Sequence, residues 1–298
     1  MAILSKINVA VFNGDERTLI DPILGRPFSH NLDKVKYTTS YSEADYILGH
    51  LDYLECNRDY YIISQTDVFQ KYSDKFVFWS MHDNPSFAYV DKKSIKFICQ
   101  PIYNSDINKQ HRVIPVPLQM RHFELEMTKD RDYIESIRNT KKENNFVYVG
   151  QIIYANREWL RNLDLPKYDF EETKPIWGIK DTKSRIQLNK DFCARISKAK
   201  YCFAPRGVGS SSFRLYQSMM AGTVPIESGM NDYPFKEFVD WGKFTIKNEK
   251  NLKSLLTNEE KYVILRKNAI DFWDKYVDIP SCDKVIFESY IGENFKRV

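Results

Sequence analysis

Residues 201–227, YCFAPRGVGSSSFRLYQSMMAGTVPIE, gather the side chains best suited to hold a charged ligand. Tyr201, Cys202, Phe203 and Ala204 read as a short buried strand that Pro205 ends. Arg206, Gly207, Val208 and Gly209 follow as a flexible cationic loop, and Ser210, Ser211 and Ser212 come next. Phe213, Leu215, Tyr216 and residues 219–221 then recur at helical spacing until Gly222 stops the helix, and residues 223–226 read as a second strand. A strand–loop–helix–strand unit sets its loop at the carboxyl edge of an α/β sheet, where ligands bind. One serine can cap the helix while its first backbone N–H groups point outward. Arg214 lies in the first helical turn, against the partial positive charge of that end, and Arg206 adds a second cation. Two arginines, free amides and a dipole end call for an anion, most simply a phosphate. The alternative is that Arg214 pairs with an internal carboxylate such as Glu227 and the glycines merely turn the chain.

Two further clusters carry titratable groups. His82 and Asp83 follow the apolar run 76–79, in WSMHDNP, and so belong at a strand's carboxyl end. Asp83 there could act as a general base, or it could cap a helix that starts near Pro85. Asp130-Arg131-Asp132 is formally a DxD triplet, the arrangement that ends a buried strand in metal-dependent sugar transfer. Only charged residues precede it here, so it reads as solvated helix surface.

The stretch PRGVGSSSFRLYQSMMAGTVPIE resembles the signature of exostosin-like glycosyltransferases, approximately P-R-G-x-G-x-S-S-x-R-L-x-E-A-x-x-A-G-x-x-P-V. The resemblance implies α/β architecture of the GT-B type, two Rossmann-like domains facing a cleft. It implies an inverting transfer of a sugar from a UDP-sugar, with UDP-xylose the first choice, to a hydroxyl of a glycan acceptor. The donor diphosphate would lie on Arg206, Gly207, Ser210, Ser211, Ser212 and Arg214. Gln217 stands where the family has a glutamate associated with the ribose; its carbonyl still accepts a hydrogen bond but brings no charge. A similar strand–Gly–x–Arg region makes Gly150 and Arg157 candidate donor ligands, against a reading of Arg157 as an ordinary helix-surface arginine. A comparable His/Asp–Pro segment makes Asp83 the candidate base, with His82 positioning acceptor or phosphate. No metal and no cofactor beyond the nucleotide-sugar co-substrate is expected. A nucleotide-sugar epimerase or hydrolase of the same architecture is the alternative, and an inactive sugar-nucleotide or glycan-binding protein is a further one.

The elements that must position these residues are legible as apolar segments. Residues 7–12, 46–48, 60–63, 76–79, 95–98 and 113–114 read as strands, with a helical stretch at 66–72, and indicate an open, largely parallel sheet. Residues 146–150 begin a second half. A loop and helix are expected over 151–163, a strand and loop over 175–179, and helices over 189–198, 235–239, 259–277 and 283–295. Residues 244–246 read as a strand. The domains expected are 1–125 on the acceptor side, 126–270 binding the nucleotide-sugar, and a helical segment 271–298 that packs back on the first.

Composition bounds the rest. Hydrophobic residues at 43% and charged residues at 28% of 298 describe a globular protein long enough for two domains. The net charge of +4, from 44 basic and 40 acidic residues, is too even to suggest nucleic acid or an anionic membrane as partner. Five scattered cysteines form no zinc or redox motif and suggest a reducing compartment, so a cytoplasmic location is expected. The apolar run 7–12 is too short for a signal peptide or membrane anchor.

Overall fold

A computed structural model of the protein describes residues 7–12, 35–51, 56–80, 96–99, 112–115, 129–153, 157–174, 179, 181–207, 211–230, 233–247 and 252–286. The chain divides into two compact units, Met1–Val116 with Ile279–Val298, and Pro117–Asp278.

The first unit is built on β1 (Ile7–Val11), β2 (Val35–Thr38), β3 (Tyr46–Leu51), β4 (Phe76–Ser80), β5 (Lys96–Cys99) and β6 (Arg112–Pro115). They form one parallel sheet in the order β2-β1-β3-β4-β5-β6. Between β3 and β4 lie α1 (Cys56–Ser64) and α2 (Asp67–Tyr72), the latter capped by Thr66, which accepts the Phe69 amide. Segment 60–63, expected as a strand, is part of α1. Tyr60 and Ile63 are buried whereas Tyr61 and Ile62 are 64% and 53% exposed, the spacing of a helix rather than the alternation of a strand. Tyr60, Phe69, Phe76 and Phe78 pack ring on ring as the core of this unit.

The second unit holds β7 (Asn144–Gly150), β8 (Tyr168–Glu172), β9 (Ala199–Pro205), β10 (Val224–Ser228) and β11 (Ile246–Lys247), all parallel, in the order β11-β10-β9-β7-β8. Around them run α3 (Arg131–Arg138), α4 (Thr182–Ile196), α5 (Phe213–Met220) and α6 (Glu259–Phe272). A π-helical turn, Trp273–Val277, extends α6, and α7 (Ile279–Ile286) belongs to the first unit. Val147, Val149, Cys202 and Ala204 face one side of this sheet, and Phe146, Tyr148, Tyr201 and Phe203 the other. Burial on both faces is what makes these strands read as continuous apolar runs. The expected helix at 235–239 is a turn in which Phe235 takes φ of 57°, outside the right-handed helical region. The strand near 244–246 is only Ile246–Lys247, because Trp241–Lys243 closes a 3₁₀ turn just before it.

Read within each unit, both sheets share the order 2-1-3-4-5, so the direction of winding reverses between β1 and β3 and again between β7 and β9. The carboxyl ends of strands at such a reversal are where open α/β sheets take ligands. In the second unit that point lies beside α5, whose geometry is fixed from its far end. Thr223 N–H donates to Ser218 O at 2.9 Å and Gly222 N–H to Met219 O at 3.1 Å, a complete Schellman closure made possible by φ of 64° at Gly222. Arg138 Nε donates to Met220 O, and Arg266 Nε and Lys142 Nζ to Gly222 O, each at 3.0 Å. Three cations thus sit on the negative end of the helix dipole.

Lys142 is buried there, also donating to Ser197 O at 2.6 Å, and burial, with Arg266 adding, pulls its amine down to about 7. An unfolded lysine keeps its proton to about pH 10.5. Between these values the unfolded chain binds more protons, so this group makes stability rise with pH. We expect the urea midpoint of wild type minus that of Lys142→Met to grow between pH 7 and pH 9.5; a difference that is flat or shrinks would refute the assignment.

Candidate functional site

At the carboxyl end of β7, between β7 and β9, lies the Arg214 guanidinium. Its Nε donates to Val149 O, and its Cζ sits 5.7 Å from the Tyr148 ring centroid and 5.5 Å from that of Phe192 on α4. Gly150 ends β7 directly beneath it. A Cβ built on Gly150 would fall 2.1 Å from the arginine's Nη2 and 2.4 Å from its Cζ, so only glycine leaves room for the guanidinium. Burial lowers the proton affinity of this arginine; Tyr148 opposes that effect and the neighbouring Arg157 adds to it. No carboxylate of the described residues forms an ion pair with Arg214. Glu227, the internal partner considered from the sequence, is occupied elsewhere: Tyr233 donates to its Oε1 at 2.5 Å. Burial raises the Glu227 carboxyl, while Tyr233, the Met230 amide and Lys247 act in the opposite direction.

Arg157, in the 3₁₀ turn Arg157–Asn162, is buried and has a different job. Nε donates to Arg206 O at 3.1 Å, Nη1 to Gln151 O at 3.0 Å and to the Tyr148 hydroxyl at 3.5 Å, and Nη2 to Pro205 O at 3.1 Å and to Arg206 O. A guanidinium has five N–H donors. All five are engaged, so in this structure the side chain, a candidate diphosphate ligand by the resemblance, ties the loop after β7 to the loop after β9. Its charge still adds to the positive potential beside Arg214.

The β9–α5 loop closes on itself, Gly207 N–H donating to Ser211 O at 2.7 Å, which commits that amide to the loop. Ser212 is the N-cap of α5 in extended conformation, but its side chain makes no capping hydrogen bond, contrary to the expected serine cap. Ser211 is buried with its Oγ 3.3 Å from the Tyr216 hydroxyl. Arg206 is carried to the other flank, where its N–H donates to Ser228 O at 2.9 Å and its stem lies over Gly229, at φ of 82°. The cation adjoining Arg214 is therefore Arg157 rather than Arg206. Gln217 is buried one helical turn after Arg214. Ser210, His82 and Asp83 lie outside the described residues, as do residues 175–178.

Tyr148 and Phe192 were not identified from the sequence, where Tyr148 is one aromatic in an apolar run and Phe192 one in a mixed helical stretch. Asp130, of the DxD triplet, caps α3: its Oδ1 accepts the Tyr133 amide at 3.0 Å and its Oδ2 pairs with Lys190 Nζ at 2.8 Å, with Asp132 in the first turn. Both Asp130 oxygens are thus spent on structure. Cys193 and Cys202 are fully buried and form no disulfide, and burial pushes the Cys202 thiol up to about 11. Among the described residues no helix is long and apolar enough to cross a membrane.

Residues 13–261 match the family described as Exostosin GT47 domain. No curated protein matches by sequence. Solved structures with a similar fold include a GtfA/B complex, with 10% identity, TM-score 0.43, and 80% of this chain aligned to 56% of that one. The pneumococcal O-GlcNAc transferase GtfA in complex with UDP and GlcNAc gives 11% identity and TM-score 0.41, with 84% of this chain and 58% of that chain covered. WaaG, a glycosyltransferase involved in lipopolysaccharide biosynthesis, gives 11% identity and TM-score 0.36, covering 94% and 99%. The chain thus spans less than two thirds of the first two, and all three are distant likenesses from which no residue role is taken.

The loop-tying reading of Arg157 makes a measurable claim. Lysine keeps the charge but cannot reproduce a five-donor fork. Arg157→Lys should therefore cost about 3 kcal/mol of unfolding free energy, since hydrogen bonds to charged groups contribute about 1.5–3 kcal/mol each. A urea titration showing wild-type stability would contradict it.

Proposed function

The chain belongs to the exostosin GT47 family of glycosyltransferases, and we propose that it transfers a sugar from a UDP-sugar to a hydroxyl of a glycan acceptor, with inversion and without a metal ion. UDP-xylose is the proposed first donor. The observation that carries the diphosphate site is Arg214: a guanidinium held by β7 at the winding reversal, with Arg157 beside it and no described carboxylate paired to it. A cation whose charged form is disfavoured by burial and by a second cation is stabilised by an anion placed against it.

The chemistry follows from that placement. A base removes the acceptor O–H proton, the acceptor oxygen forms a bond to the anomeric carbon, and the bond from that carbon to the diphosphate oxygen breaks. The electron pair leaves on the diphosphate, where Arg214, the α5 end and, from the other flank of the loop, Arg206 would neutralise the growing negative charge. Asp83 is proposed as the base, with His82 positioning the acceptor or phosphate. Gln217 is proposed to accept a ribose hydroxyl through its carbonyl. Asp130 caps α3 and pairs with Lys190, which supports reading the triplet as helix surface.

Calorimetric titration of UDP, GDP, ADP and CMP, each in EDTA and then in Mg²⁺, tests the reading. We expect UDP to bind in EDTA and Arg214→Ala to weaken it about 10- to 100-fold, the equivalent of one charge-assisted contact. UDP release from a UDP-sugar screen should require an acceptor. UDP release without one would favour the hydrolase reading, conversion of the donor to another UDP-sugar without UDP release the epimerase reading, and UDP binding with no turnover a binding protein. Abolition of transfer by EDTA would end the metal-independent proposal.

A further inference from the structure

Three features converge on one guanidinium. Gly150 lies so close beneath Arg214 that any Cβ would overlap Nη2, Cζ and Nε, at 2.1, 2.4 and 2.6 Å. Phe192, half-buried on α4, presents its ring 5.5 Å from Cζ, and Tyr148 presents another at 5.7 Å. Val149 O takes Nε, and no hydrogen bond from Nη1 or Nη2 is found among the described residues, so these are the nitrogens offered to a ligand. An arginine side chain otherwise has many rotamers, and holding it in one place before binding removes an entropic cost of about 0.5–1.5 kcal/mol from association. Aromatic faces hold a guanidinium without neutralising it, which a carboxylate would not do.

We infer that Phe192 and Gly150 are positioning residues of the donor site: they act on the diphosphate through Arg214, by fixing where its guanidinium sits. Phe192 touches no reacting atom in this scheme. It comes from α4, an element outside the strand–loop–helix unit that carries the motif, and so it makes the placement of α4 a determinant of donor affinity. This inference rests on the anion-site reading above, and the two fail differently.

Inorganic pyrophosphate, titrated calorimetrically against the full chain, isolates the anion from the rest of the donor. Wild type, Phe192→Leu, Phe192→Tyr, Gly150→Ala, Arg214→Ala and the double variant Phe192→Leu/Arg214→Ala are compared, with thermal midpoints recorded for each. Leucine keeps the apolar contact with the core but removes the ring face. We expect Phe192→Leu to weaken pyrophosphate about fivefold, Phe192→Tyr to leave it unchanged, and Gly150→Ala to weaken it at least as much as Phe192→Leu. Phe192→Leu should have no further effect once Arg214 is alanine, because its contribution runs through that side chain. Wild-type affinity in Phe192→Leu, or an equal loss in the Arg214→Ala background, overturns the inference while leaving the anion site standing. No pyrophosphate binding by wild type removes the anion site itself and the inference with it. A merely structural role would lower the thermal midpoint of Phe192→Leu without the background-dependent change in affinity.

Discussion

A half-buried arginine without a carboxylate is an unfinished interaction, and the carboxyl edge of the second sheet is organised around one. Burying a charge is unfavourable unless it is paired or hydrogen-bonded. Lysine or histidine can relieve that cost by losing the proton, but arginine keeps its charge at any ordinary pH. Arg214 has a carbonyl on Nε, two aromatic faces and a second guanidinium for company. Among the described residues no carboxylate supplies it with negative charge, and in the proposed scheme the donor diphosphate does so. Arg157, a few ångströms away in the same setting, shows the contrast. Its five donors are all spent on protein oxygens, so of two neighbouring arginines one ties loops together and the other is the one proposed to hold a ligand.

The helix that carries Arg214 has its charges reversed at the ligand end. A cation in the first turn opposes the dipole by about 0.3–1 kcal/mol. The opposite end compensates, since Arg138, Lys142 and Arg266 arrive from three separate stretches of chain to hold the carbonyls of Met220 and Gly222. Ser218 adds a hydrogen bond to Arg214 O within the helix. The short α5 is thereby fixed at its C-terminus, the end away from the proposed ligand. At its other end the Ser212 side chain makes no capping hydrogen bond.

Buried elements were the ones legible in the sequence. β1, β3, β4, β7 and β9 are apolar runs because neighbours cover them on both sides. The two strands not anticipated, β2 as VKYT and β8 as YDFEE, occupy the same place in their respective sheets: each is the second strand of its unit and lies at an edge. An edge strand borders solvent, so it carries Lys, Asp and Glu and loses the apolar signature. Segment 60–63 failed for the opposite reason, since four consecutive apolar residues carry no period and only the burial of Tyr60 with Ile63 reveals the helix. At the site, the type and place of Arg206, Gly207 and Arg214 were readable because they are contiguous. Tyr148 and Phe192 were not, because their relation to Arg214 exists only once β7, α4 and α5 are assembled.

Topology alone would have nominated two sites, for both sheets reverse their winding at an equivalent point. Chemistry chooses between them. At the carboxyl end of β1 the described chain places Phe12, buried, its amide on Leu48 O and its ring against Tyr41 and Phe76. Among the described residues that end carries an apolar packing contact. At the carboxyl end of β7 the chain places Gly150, which fills nothing and admits a guanidinium to the same position. One fold used twice presents an aromatic ring at one reversal and an unneutralised cation at the other. The proposal of a diphosphate site in the second unit rests on that difference in side chains, and the fold supplies only the platform.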